Sequence, residues 1–466
     1  MLFSGIPFLY YFLPAVLLVY FLVPKPLKNG TLLLASLVFY GWGEVRYLGL
    51  MVGTILAGYG AGLLLERVQK PTLRRLVMVF SAIVLLVPLL FFKYADFFLS
   101  NFSAVTGLPI PLLRLTLPLG ISFYTFQILS YVIDVYRREV PAQKNPITFG
   151  TYVSMFPQLI AGPIVRYQEV APQLTNRTHS LQQIAVRAER FVLGLGKKVL
   201  LANQFGLLCQ ALRDSEAPSV LFYWMYAIGF TLQLYFDFSG YSDMAIGLGR
   251  IFGVSFPENF RYPYCAKSIT EFWRRWHITL GAWFRDYVYI PLGGNRVSKP
   301  RWILNLVVVW LLTGFWHGAD WQFLLWGGLY AVLLLLEKLG LQKLLCRLPK
   351  GFGHCYTLFF VVMGFVLFNS EGLSGFGQDI TALFGFGGLP AVTGETVYFL
   401  QSYGVLLLLG VLGAMPLPAM ACRWLCAQKI GRAVWILRPI VLCGLLLLVT
   451  AYLVDGSFNP FLYFRF

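Results

Sequence analysis

Apolar residues in this chain come in long unbroken runs, separated by short polar stretches. "WILNLVVVWLLTGFW" (302–316) and "LLLLGVLGAM" (406–415) are examples, and similar runs recur from one end to the other. Runs of this kind supply the roughly 20 helical residues needed to cross a hydrocarbon core of about 30 Å. A segment such as "YAVLLLLE" (330–337) has no period of two, so the strand alternation of an outer-membrane barrel is missing. The pattern predicts an all-α polytopic membrane protein. Counting the runs gives about 12 membrane-spanning helices with both ends outside, in one membrane-embedded domain over residues 1–466. No internal repeat is evident.

Two stretches break the pattern. "FPQLIAGPIVRYQEVAPQL" (156–174) is too interrupted by Pro and Gly to span, which predicts a re-entrant or interfacial segment buried against protein. "NSEGLSGFGQDITALFGFGGLPAVTGE" (369–395) reads as an external loop holding a short interfacial helix. The opening "MLFSGIPFLYYFLPAVLLVYFLVPKP" has no basic region before its apolar run and no small-residue cleavage site. It reads as a retained first helix rather than a signal peptide.

Composition agrees with a bilayer as solvent: of 466 residues 58% are hydrophobic and only 12% charged, with mean hydropathy +0.69. A soluble chain carries about 25% charged residues. The net charge of +17 is explained by membrane topology. With no soluble domain to form a basic face, a nucleic-acid partner is not expected. Lys25 and Lys28 after the first run place the N-terminus outside, and "ERVQKPTLRR" (66–75) and "YRREVPAQK" (136–144) then fall inside. Between Arg250 and Arg301 nine Lys/Arg stand against three acids, which marks the largest cytoplasmic segment. The seven cysteines and four histidines show no zinc spacing, so no metal is expected and the cysteines read as free thiols.

Within that cytoplasmic segment, "EFWRRWHITLGAWFRDY" (271–287) gathers three tryptophans, three arginines and His277. Read as one helix at ~100° per residue, it puts Trp273, Trp276, Leu280, Trp283, Phe284 and Tyr287 on one side and Arg274 and Arg285 together on another. His277 then falls at the edge of the aromatic stripe, the pattern of an amphipathic interfacial helix. His317, in "LLTGFWHGADWQFLLWGG" (311–328), ends a run whose only polar interruptions after Arg301 are Asn305 and Thr313. An ionisable group at membrane depth usually faces a cavity or pathway. Imidazole is also the side chain best matched to general base work near neutral pH. Gly314 and Gly318 flank His317 and allow a substrate or another helix to approach closely, and Asp320 is placed to orient the ring. "YFDFSGYSDMAIGLG" (235–249) holds Asp237 and Asp243, read as ion-pairing residues rather than a cation site, and "PLGGNR" (291–296) reads as a turn.

These blocks are familiar together. "SFYTFQILSYVIDVYR" (122–137), "FPQLIAGPIVRY" (156–167), "YFDFSGYSDMAIGLG" (235–249), "SITEFWRRWHITLGAWFRDYVYIPLGGNR" (268–296) and "FWHGADWQFLLWG" (315–327) resemble the bacterial membrane-bound O-acyltransferase family, in its alginate O-acetyltransferase branch. The likeness extends to the closing "NPFLYFRF" (459–466). It implies a multi-pass enzyme of the bacterial inner (cytoplasmic) membrane. Such an enzyme moves an acetyl group from cytoplasmic acetyl-CoA, with no bound cofactor, toward an extracytoplasmic acceptor. That acceptor is an exopolysaccharide such as alginate or cellulose, peptidoglycan, or an extracytoplasmic acyltransferase partner protein.

The resemblance maps the catalytic histidine onto His317 and a second histidine onto His277. Where relatives carry a further histidine after a tyrosine, this chain has Ala331 after Tyr330, so the likeness assigns that position no role. Arg274 and Arg285 would then receive the phosphates of coenzyme A. The indoles of Trp276 and Trp316 are candidates for stabilising the oxyanion, and Cys265 is a minor candidate for carrying the acyl group. The D-alanyl transfer branch, which uses a carrier-protein thioester, shares "WRRWH" but lacks the "YIPLGGNR" continuation and ranks second. A transporter or lipid flippase is a third class that places a histidine in a pathway.

Overall fold

The computed structural model describes residues 3–177, 181–428 and 431–456, so the closing "NPFLYFRF" lies outside the described residues. All regular structure among them is helical. The chain forms two compact units, Met1–Phe191 with Ala245–Pro257, and Val192–Met244 with Glu258–Phe466. By length and composition seven described helices can cross a membrane, and Phe8–Leu22 is a shorter apolar helix. The expected count of about 12 therefore rests on the other helices counted in the sequence, which fall short of that measure.

In the first unit, α1 (Leu13–Leu22) precedes two long helices, α2 (Lys28–Arg67) and α3 (Pro71–Thr106). α3 leaves Leu76, Phe80, Ile83 and Val87 exposed, an apolar face suited to lipid. α4 (Ile121–Arg137) is buried over most of its length. The broken stretch follows as α5 (Pro146–Ser154), α6 (Phe156–Leu159) and α7 (Tyr167–Thr175). Residues 148–165 are buried, as expected of a re-entrant segment, and the neighbouring side chains satisfy its interrupted backbone. Asn145 caps α5 by accepting from the N–H groups of Ile147 and Thr148, and the Phe156 N–H donates to the Ser36 hydroxyl at 3.0 Å. The Gln158 amide donates to the Tyr152 carbonyl at 2.6 Å, and the Tyr152 hydroxyl donates to the Val165 carbonyl at 3.1 Å.

α8 (Leu181–Gly196) leads through a π-helical stretch at Lys197–Ala202 into α9 (Asn203–Arg213), and α10 (Val220–Ile251) follows. Here the two aspartates are ion-paired, as expected: Lys198 meets Asp237 at 2.5 Å and Lys197 meets Asp243 at 2.7 Å. Two short helices, α11 (Ile269–Arg275) and α12 (Ile278–Phe284), come before α13 (Lys299–His317) and α14 (Trp321–Leu336). The remaining helices are α15 (Gln342–Arg347), α16 (Lys350–Asn369), α17 (Gly372–Leu383), α18 (Gly394–Gly413), α19 (Leu417–Ala427) and α20 (Gly431–Asp455). α17 is the short helix expected within 369–395. The "PLGGNR" turn has left-handed Gly293 and Gly294, and Asn305 pins it by donating to the carbonyls of Leu292 and Gly294.

Candidate active site

The stretch from 271 to 287 is not the single helix that its aromatic stripe suggests. α11 stops at Arg275, Trp276 is extended, His277 takes a left-handed conformation (φ 45°, ψ 52°), and the helix restarts at Ile278. The hydrogen bonds give the reason. In a continuous helix the Thr279 N–H would donate to the Arg275 carbonyl. Instead that carbonyl accepts from the Arg261 N–H at 2.9 Å, the Thr279 N–H donates to the Asn259 side chain at 3.2 Å, and the Ile278 N–H donates to the Asn259 carbonyl at 3.0 Å. The segment at 259–261 thus takes over the backbone partners that a helix would have used.

The start of α11 is held from a distance. Buried Glu337, just beyond α14, accepts from the N–H groups of Ile269 at 2.6 Å and Thr270 at 2.8 Å, and Ser268 caps by accepting from the Glu271 N–H. A carboxylate on free helix N–H groups is favoured by both hydrogen bonding and the helix dipole. Glu337 thereby sets the position of the tryptophans and arginines that follow.

His277 is 2% exposed. Its Nδ1 lies 3.2 Å from Asn259 Oδ1, its ring packs edge-on against Phe238, and its Nε2 has no hydrogen-bond partner among the described residues. Burial disfavours the imidazolium and pushes the ring's pKa down to about 3, so it is neutral at physiological pH.

A cavity of about 550 Å³ opens beside His277. That is within the usual range for small-ligand sites, roughly 300–1,000 Å³. Trp276, Trp310 and Thr313 line it together with three cations, Arg274, Arg285 and Lys338. The two arginines share one site even though the helix between them is broken. They are held differently. Arg285 pairs with Asp286 at 2.6 and 3.0 Å, whereas Arg274 is exposed and has no ion pair or hydrogen bond among the described residues. Lys338 lies over the Trp302 ring, 5.5 Å from its centroid. The arrangement combines cationic groups, apolar walls and a buried imidazole nitrogen in one cavity, and so can receive a phosphorylated molecule whose far end is apolar.

His317 ends α13, one turn after the cavity-lining Thr313, and does not itself line the cavity. Its ring packs against Trp316, Trp326 and Phe368 at centroid distances of 4.9, 5.2 and 5.4 Å. Trp316 also lies 6.0 Å from the His277 ring, so this one indole touches both histidines. Of the two approaches that Gly314 and Gly318 permit, the structure has the helix: a side chain at Gly314 would meet the Phe323 carbonyl of α14, and one at Gly318 the Phe323 ring. Asp320, expected to orient His317, caps α14 by accepting from the Trp321 N–H at 2.6 Å. An N-cap carboxylate satisfies a free donor that the start of a helix always presents. Ala331 is buried, and the neighbouring Tyr330 ring sits against Trp273 at 4.8 Å and Trp326 at 5.1 Å. Cys265 does not line the cavity, and burial pushes its thiol pKa up, away from the reactive thiolate.

Sequence reasoning missed Asn259, Glu337 and Lys338. Asn259 sits in "SFPENFRYPY" (255–264), whose prolines mark a loop but assign no role, and Glu337 and Lys338 look like the polar end of an apolar run.

Comparison with known proteins places the chain in a family. The pattern of the membrane-bound O-acyltransferase family matches residues 137–372. A probable alginate O-acetylase of Pseudomonas syringae pv. tomato is 43% identical over 398 residues, covering 83% of this chain and 76% of the relative. A peptidoglycan O-acetyltransferase of Helicobacter pylori is 37% identical, covering 84% of this chain and 81% of its own. A teichoic acid D-alanyltransferase of Streptococcus thermophilus is 32% identical over a shorter region, 48% of this chain and 58% of the relative.

Proposed function

The chain belongs to the membrane-bound O-acyltransferase family and is an O-acyltransferase, and from that premise we propose that it takes an acetyl group from acetyl-CoA at the cytoplasmic face of a bacterial inner membrane. The acetyl group is delivered toward an extracytoplasmic polysaccharide, directly or through an extracytoplasmic acyltransferase partner.

The observation that carries the reading is the cavity, in which Arg274, Arg285 and Lys338 accompany a buried neutral imidazole. Three cations suit the phosphates of coenzyme A better than the single phosphodiester of a carrier-protein thioester, which ranks the D-alanyl reading second. The crowding of Lys/Arg between Arg250 and Arg301 supports a cytoplasmic mouth for this cavity.

In the reaction, an acceptor hydroxyl oxygen attacks the thioester carbonyl carbon and the carbon–sulfur bond breaks. His317 takes the hydroxyl proton, which goes on to the departing coenzyme A thiolate. Lying beyond Trp316, His317 serves the acceptor side, and His277 serves the donor side. Replacing His317 with Ala or Gln is expected to leave the protein inserted and able to bind acetyl-CoA while transfer falls by about 10² to 10⁴, the usual effect of losing an acid–base group. The measurement is acetyl transfer from radiolabelled acetyl-CoA by purified protein. A well-folded His317→Ala protein that transfers at the parent rate would refute this mechanism. Purified parent protein that neither hydrolyses nor transfers acetyl-CoA would instead favour a transporter.

A further inference from the structure

The contacts around His277 determine more than its position. Asn259 Oδ1 accepts from the Thr279 N–H at 3.2 Å and the Thr279 hydroxyl at 3.0 Å, while Asn259 Nδ2 donates to the Ser242 hydroxyl at 3.3 Å. A backbone N–H can only donate, so the atom that it meets is the amide oxygen and the amide cannot be turned over without losing that bond. The same oxygen lies 3.2 Å from His277 Nδ1. An amide oxygen can only accept, so Nδ1 carries the proton. In a neutral imidazole the proton on one nitrogen leaves a lone pair on the other. Nε2 is then a bare acceptor, and it is the atom left without a partner among the described residues.

Three features hold this arrangement in place. Asn259 accepts from Ile278 through its backbone and from Thr279 through its side chain, gripping the residues just after His277. His277 itself is held left-handed, a conformation that costs a non-glycine residue roughly 1–2 kcal/mol and persists where surrounding contacts fix it. Phe238 closes one side of the ring and Trp316 lies 6.0 Å away.

We propose that Asn259 is a positioning residue that locks His277 as the Nδ1–H tautomer, presenting the bare Nε2 to the donor cavity as a hydrogen-bond acceptor. The ligand it faces is the acyl thioester end of the donor: once the carbon–sulfur bond has broken and the thiolate has taken the proton carried by His317, the thiol S–H donates a hydrogen bond to Nε2. No proton is transferred to the ring, because burial disfavours the imidazolium. This inference rests on the acyl-transfer reading given above.

The charged groups that share the cavity with His277 are Arg274, Arg285 and Lys338, all cationic, and burial is the cause of the ring's displaced pKa. No acid limb from His277 is therefore expected above about pH 5 in the parent enzyme. An Asn259→Asp enzyme keeps the accepting oxygen and adds a negative charge beside Nδ1. The imidazolium is stabilised, so the His277 ring, followed by its ¹⁵N signals, should titrate at least one pH unit higher than in the parent. An Asn259→Ala enzyme loses the lock. Its kcat should fall about ten- to a hundredfold, as for loss of a partner that orients a histidine ligand, while KM for acetyl-CoA changes less than threefold.

The readout that does not depend on activity is the ¹⁵N spectrum of protein labelled at its four histidines. The signal that disappears in His277→Gln should show a protonated Nδ1 and an unprotonated Nε2 in the parent, and a tautomer mixture in Asn259→Ala. A protonated Nε2 in the parent overturns the inference. So does a His277 ¹⁵N titration in Asn259→Asp that overlays the parent's, whether or not Asn259→Ala folds. Should His277→Gln transfer acetyl at the parent rate while the tautomer is as stated, His277 has no part in the transfer and the donor-side reading fails, yet the lock by Asn259 stands.

Discussion

His277 and His317 are both buried, and Trp316 touches both rings, but their described surroundings differ. His277 is oriented by polar contacts: Asn259 on the ring and on the backbone beyond it, and Glu337 on the start of the preceding helix. The ring of His317 sits at the end of a helix among the rings of Trp316, Trp326 and Phe368. Polar orientation fixes which nitrogen carries the proton, whereas aromatic confinement fixes where the ring sits.

The largest effect short of removing a histidine is expected on the polar side. Glu337→Ala strips two buried N–H groups of their acceptor, and each unpaired group costs about 1–3 kcal/mol. Purified Glu337→Ala protein should unfold at a clearly lower temperature and lose affinity for acetyl-CoA, whereas Glu337→Gln, which keeps one acceptor oxygen, should fall between. An Ala variant with unchanged affinity would mean that α11 is placed by its aromatic packing alone, and the contrast between the two histidines would disappear.

On the aromatic side the corresponding test is a single methyl group. A Cβ at Gly314 would collide with the backbone carbonyl of Phe323, which cannot swing away as a side chain can. Gly314→Ala should therefore force α13 and α14 apart at a cost of about 1–3 kcal/mol and slow transfer, because His317 ends the displaced helix. Gly281→Ala is the control near His277: its Cβ meets nothing within 4 Å, and in a helix the change to Ala is neutral or favourable by up to about 1 kcal/mol. Thermal unfolding of the two variants side by side checks both values, and equal losses would contradict the close packing of α13 on α14.

These contrasts also explain how much could be read without a structure. The fold class and the burial of His317 were legible because each is written in local pattern: apolar runs, and one ionisable residue at the end of such a run. The broken stretch at 156–174, buried as far as residue 165, was legible for the same reason, since Pro and Gly interrupt an otherwise apolar segment. The His277 site was only half legible. Its residues stand close together in sequence, but the helical wheel assumed a continuous helix, and the break at Trp276 and His277 depends on Asn259 and Arg261, 18 and 14 positions away from their partners His277 and Arg275. Glu337 acts from 68 and 67 positions beyond the N–H groups it accepts. Periodicity reports which face a residue occupies within one element and carries no information on such pairings.

The smallest effect separates the two arginines that the helical wheel placed together. Both line the cavity, but only Arg285 already has a carboxylate partner, held through two hydrogen bonds to Asp286. A phosphate approaching Arg285 must share the guanidinium with that carboxylate, whereas Arg274 offers its full charge. A hydrogen bond to a charged group contributes about 1.5–3 kcal/mol, so Arg274→Gln should weaken acetyl-CoA binding by about ten- to a hundredfold. Arg285→Gln should weaken it by less than about fivefold, in keeping with the small value of an exposed charge that is already paired. Neither change should shift thermal unfolding much, because a surface side chain away from packed contacts contributes little to stability. The difference should also shrink as salt is raised, since Arg274 is exposed and its attraction is screened. If both variants bind acetyl-CoA as the parent does, the arginines face lipid headgroups, and the cavity would then have to recognise its donor through Lys338 and the buried ring of His277.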